Sequence, residues 1–68
     1  MGENWNLTLR LHGGIEIGYN SYPSEGGAEE AVRDIMAAGI AWVPDITGDV
    51  QEGYPISSIR AFLIRQLD

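Results

Sequence analysis

Apolar and polar side chains alternate strictly along Trp5–Leu11 and again along Ile15–Tyr19, with Gly13-Gly14 between the two runs. A period of two belongs to half-buried strands, so this stretch predicts a β-hairpin. Side-chain matching chooses its register. A two-residue loop, Gly13-Gly14, sets Leu11 against Glu16 and Leu9 against Gly18. A three-residue loop, His12-Gly13-Gly14, pairs Leu11 with Ile15, Leu9 with Ile17 and Leu7 with Tyr19, and sets Arg10 opposite Glu16. The longer loop needs a left-handed residue at its last position, which Gly14 adopts without steric cost. A slip by one residue would turn every leucine to water, so the three-residue loop is expected. Trp5, Leu7, Leu9, Leu11, Ile15, Ile17 and Tyr19 then share the core face. Asn6, Thr8, Arg10, Glu16, Gly18 and Asn20 share the other.

Asn20–Ser24 reads as turn chemistry closed by Pro23. Ser24 is placed to N-cap a helix running to Ala38, and Glu25, Glu29 and Glu30 suit the positive end of its dipole. Ala28, Ala31, Val32, Ile35 and Ala38 form its apolar face, with Met36 on the flank. Gly39 supplies the left-handed position beyond the last turn. Ile40–Val43 is a short third strand stopped by Pro44. Asp45–Gly53 reads as an acidic loop, and Ile56–Ile59 as a turn. Ile59, Phe62, Leu63 and Leu67 fit a helical stripe, yet Phe62/Ile64 and Ala61/Leu63 also fit a strand apolar on both faces. The strand is favoured, because Asp68 would oppose the dipole at a helix C-terminus. The expected fold is α+β in the order ββαββ, one helix packed across a four-stranded, mainly antiparallel sheet. The alternative order is ββαβα.

Composition narrows the chemistry. With 68 residues the chain is expected to form a single domain, residues 1–68, whose core needs reinforcement. Cysteine is absent and histidine occurs once, so neither disulfides nor the usual zinc sets are available. No apolar run approaches the ~18 residues of a membrane span, no secretory leader is read ahead of the hairpin, and a cytoplasmic location is expected. The net charge of −6, with four arginines and no lysine, argues against direct nucleic-acid binding.

No motif fixes a reaction. His12 sits in a turn without a neighbouring acid, and Ser57-Ser58 lacks a nucleophile elbow. Asp45, Asp49 and Glu52 do not follow the spacing of a calcium loop. Glu25 beside Gly26-Gly27 opposes anion binding at the helix start. No cofactor and no metal is expected. Arginine and aromatic residues on or beside strands are a stronger signal, because those types are enriched at binding hot spots. Arg10, Trp42, Tyr54, Arg60, Phe62 and Arg65 are therefore the candidate binding residues.

These features favour a non-enzymatic binding or assembly module that self-associates through its sheet, its interface drawn from Ile40–Val43 and Ile59–Leu67. Its size and composition are those of small accessory proteins of phages and mobile elements. One alternative is an oligomer that sequesters a small anionic, nucleotide-like ligand with Arg10, Arg60 or Arg65. Another is an acidic inhibitor that imitates nucleic acid and engages a host protein through Glu29, Glu30 and Asp34.

Overall fold

A computed structural model describes residues 4–67. The alternation at its start forms the expected antiparallel hairpin, β1 (Asn4–Leu11) with β2 (Glu16–Tyr22). The Leu11 N–H donates to the Ile15 carbonyl at 2.8 Å and the Gly14 N–H to the Leu11 carbonyl at 3.1 Å, which closes the loop over His12-Gly13-Gly14. Gly14 has φ +89°, and Arg10 lies opposite Glu16 with Leu9 opposite Ile17. The expected pairing of Leu7 with Tyr19 does not occur. Thr8 faces Gly18 but Leu7 faces Asn20, so Tyr19 is the extra residue of a β-bulge. Beyond it the phase of β2 is reversed. Trp5 meets Tyr22, and the segment read as turn is strand as far as Tyr22.

Helix α1 spans Glu25–Ala38 between the two signals that bound it. Ser24 Oγ accepts the Gly27 N–H at 3.1 Å, and Gly39, at φ +81°, donates its N–H to the Ile35 carbonyl at 2.8 Å. Three further strands follow: β3 (Ile40–Pro44), β4 (Gln51–Pro55) and β5 (Ile59–Leu67), with a 3-10 turn over Ile56–Ser58 before the last. β5 lies antiparallel on the free edge of β1, giving the order β2-β1-β5 and excluding the helical reading of 59–67. Asp68, which entered that choice, lies outside the described residues.

The four-stranded sheet is corrected to two antiparallel sheets. β3 does not join the first sheet but pairs with β4, in the segment read as a loop, so the order is ββαβββ with strands divided three and two. Gln51-Glu52-Gly53-Tyr54-Pro55 lacks apolar alternation, so β4 depends on β3 for its definition. The coarser class holds: α+β, with one helix.

All these elements meet in one core. Leu9 and Leu7 are 0% and 1% exposed, with Ala28 and Ile35 of α1, Ala41 and Val43 of β3 and Ile59 of β5 also buried. Burying side chains of the size of Leu7 and Leu9 contributes about 1.5–3 kcal/mol each. Ile17, Phe62, Ile64 and Tyr54 pack around that centre. Ile15, expected in the core, is 62% exposed at the end of the hairpin loop. Ala38 and Met36 are also exposed.

Candidate functional site

The six candidate residues separate onto different surfaces. Strand alternation carries Arg10 and Arg65 to the face of the first sheet that α1 does not cover. There Arg10 donates from Nη2 to Glu16 Oε2 at 2.8 Å and from Nε to the same oxygen at 3.2 Å, while Arg65 Nη1 lies 3.7 Å from Glu16 Oε1. The hydrogen bond from Arg10 is the main cause that holds the Glu16 carboxyl below its ordinary pKa, and the charges of Arg10 and Arg65 add to it. Ser21 Oγ donates to Asn6 Oδ1 at 2.6 Å on the same surface. Ala61 and Leu63 share this face with these polar groups, and Arg10 and Arg65 share one carboxylate.

Arg60 is exposed at a second bulge, between Ile59 opposite Leu11 and Ala61 opposite Arg10. It makes no ion pair among the described residues. Phe62 pairs with Leu9, and Tyr54 with Ala41; both aromatic side chains are half-buried and pack against the core. Their enrichment beside strands thus reflects packing, a role that local sequence could not separate from binding.

Trp42 is different. It is 53% exposed on the outer face of the β3–β4 hairpin, directly opposite Gly53. A Cβ at Gly53 would lie 2.9 Å from Trp42 Cζ3 and 2.7 Å from Ile40 Cδ1, so these side chains occupy the space the glycine leaves. Alternation puts Ile40, Trp42 and Pro44 of β3 on this face with Gln51, Gly53 and Pro55 of β4. None of them ionises. The hairpin ends in a turn organised by Asp45, whose Oδ1 accepts the Thr47 N–H, the Thr47 hydroxyl and the Gly48 N–H at 3.1, 2.7 and 2.8 Å. The Thr47 hydroxyl is the main cause that lowers the Asp45 pKa. Ile46 is fully exposed at the tip.

Two residues missed in the sequence line a cleft. Tyr19 and Tyr22 of β2 border a cavity of about 330 Å³ against Gly27, Glu30, Ala31 and Asp34 of α1. The signal was a change of phase, from apolar residues at 17 and 19 to one at 22.

His12 is exposed and its side chain makes no hydrogen bond among the described residues. No group of three His, Cys, Asp or Glu among them could hold a metal ion, and no helix is long and apolar enough to cross a membrane. Compared with known protein families, curated proteins and solved structures, the chain matches none.

Proposed function

We propose that this protein is a non-enzymatic assembly module that pairs with a second copy of itself through the outer face of the β3–β4 hairpin. One observation carries the reading: on this face Ile40, Trp42, Pro44, Gln51, Gly53 and Pro55 present no ionisable group. A chain of net charge −6 repels its copy wherever acidic surfaces meet. The exposed side of α1 carries Glu29, Glu30, Arg33 and Asp34, and the open face of the first sheet carries Arg10, Glu16 and Arg65. The hairpin face brings two copies together without placing like charges opposite each other. A two-fold axis makes such a contact self-complementary, and Trp42 is the residue type that most often anchors one. Both outer edges of the hairpin also lack a strand partner among the described residues.

The interface foreseen from sequence is narrowed by this reading. Ala61 and Leu63 face outward from the other sheet, beside Arg10 and Arg65, and so do not extend the Trp42 surface. Sequestration of an anionic ligand has less support, because Glu16 engages Arg10 and Arg65 and leaves only Arg60 of the three candidate arginines without an ion pair among the described residues.

Sedimentation velocity and light scattering across a micromolar to millimolar range test the proposal. The wild type is expected to move from monomer to dimer as concentration rises, and Trp42→Ser to stay monomeric with an unchanged circular dichroism spectrum. A wild type that remains monomeric at millimolar concentration, or a Trp42→Ser variant that dimerises equally well, overturns it.

A further inference from the structure

Residues three apart on a regular strand point to opposite faces. Tyr19 and Tyr22 do not, because the bulge at Tyr19 cancels one step of the alternation and leaves both rings lining the same cleft. Bulges that re-aim a side chain are over-represented beside functional sites. Across from the tyrosines, Glu30 and Asp34 stand one helical turn apart on α1, and neither forms an ion pair among the described residues. Gly27 borders the same space; a Cβ there would stand 3.6 Å from Tyr22 Cβ and 3.9 Å from its Cδ1. The charged residues that line the cleft are the Glu30 and Asp34 carboxylates, with no cation among them. The Tyr22 hydroxyl has a raised pKa, first from burial and then from the neighbouring Tyr19 and Asp34 charges.

We propose that the cleft between β2 and α1 binds a guanidinium or alkylammonium group, with Tyr19 and Tyr22 against its apolar stem and cationic head and Glu30 and Asp34 as its counter-charges. Aromatic faces attract cations through their quadrupole, and carboxylates give a guanidinium charge-assisted hydrogen bonds. An anion would meet two like charges. A neutral apolar ligand would strip water from the carboxylates without compensation. The volume of about 330 Å³ is at the small end of ligand cavities and suits one amino-acid side chain or a small organic cation. This site lies away from Trp42, so its test stands whether or not the chain dimerises.

The same cationic head can come from an arginine in a partner polypeptide or from a free organic cation. Isotope-labelled full-length protein is therefore titrated with acetyl-Gly-Arg-Gly-amide and, separately, with agmatine, against sodium chloride at equal ionic strength. Saturable amide shifts are expected at Tyr19, Tyr22, Gly27, Glu30 and Asp34. The double variant Glu30→Gln/Asp34→Asn, both positions being exposed, should bind about tenfold more weakly, and Tyr22→Phe should bind normally because the ring is kept. Preference for the peptide assigns the ligand to a polypeptide, and preference for agmatine to a free cation. Shifts reproduced by sodium chloride, shifts spread equally over Asp45 and Asp49, or unchanged affinity in the double variant overturn the proposal.

Discussion

The two hairpins of this protein differ in how they dispose of their outer faces. In the first, β1 is paired on both edges, α1 covers one face, and Arg10, Glu16 and Arg65 make the other face ionic. In the second, β3 and β4 have only each other as strand partners among the described residues, and the outer face is uncharged around a half-exposed tryptophan. A hairpin alone is marginal in water. The β3–β4 unit therefore leans on Ala41, Val43 and Tyr54, which reach back into the common core. The two most deeply buried large side chains, Leu7 and Leu9, lie in the first sheet, while the exposed Trp42, Ile46 and Val50 lie on β3 or in the turn that joins it to β4.

That division can be broken most severely at Leu9, which has no solvent exposure. Leu9→Ala should cost about 2–5 kcal/mol, and denaturant unfolding should show both hairpins lost in one transition. Loss of β1–β2 protection alone would mean that the second hairpin folds independently. Gly53→Val should be milder and local. Its side chain would enter the space held by Trp42 and Ile40, a crowding that costs about 1–3 kcal/mol. Hydrogen exchange should quicken in β3 and β4 with little change in β1. Pairing it with Trp42→Ala should recover part of the loss, and a strictly additive double variant would show that the two positions do not touch.

Gly14→Val tests the first hairpin without entering the core. At φ +89° a β-branched side chain is strained, and a loss of more than ~1 kcal/mol is expected in thermal or denaturant melts. The smallest effect distinguishes the two hairpins by salt. Both Glu16 and Asp45 have lowered pKa values in the folded chain. Each thus contributes stability that is present above the ordinary carboxylate range and is lost as pH falls through the lowered value. Glu16 owes its shift to Arg10 and Arg65, so high salt should bring its pKa back toward the usual carboxylate value. Asp45 owes its shift to a hydroxyl and backbone N–H groups, so its pKa should barely respond. Carboxyl NMR titrations at low salt and in molar sodium chloride measure both. Equal salt sensitivity would show that the Arg10–Glu16–Arg65 cluster does not persist in solution.

What was legible in the sequence was local. The His12-Gly13-Gly14 loop and the Ser24 and Gly39 caps follow from periodicity and from residues that favour one backbone geometry, whereas the periodicity of 59–67 fits a helix and a strand alike. Pairing information was not local. β4 is recognisable only once Gly53 is seen beneath Trp42, because the tryptophan supplies the contact that the glycine lacks. The bulge at Tyr19 was masked by the following Asn20-Ser21, which reads as turn chemistry, although Tyr22 beyond them carried a change of phase. Of the candidate residues, Trp42 proved exposed while Tyr54 and Phe62 pack on the core. Composition cannot tell an aromatic anchor from an aromatic core residue. The tyrosine cleft was illegible because it exists only through the bulge.

The strand order also sets a timetable. β1 has one partner close by in sequence and another, β5, at the far end of the described chain. Hairpin closure takes about 1–10 μs, so β1 and β2 can zip together as soon as both are free. The other edge of β1 has to wait for β5, and pairing across such a span is slow because the intervening loop must be closed first. While the chain is being synthesised, Leu7 and Leu9 therefore sit in an incomplete sheet with an unpaired edge, the kind of species that aggregates or recruits a chaperone. The arrival of β5, rather than the closure of the first hairpin, decides when this sheet stops being a liability to the cell that makes it.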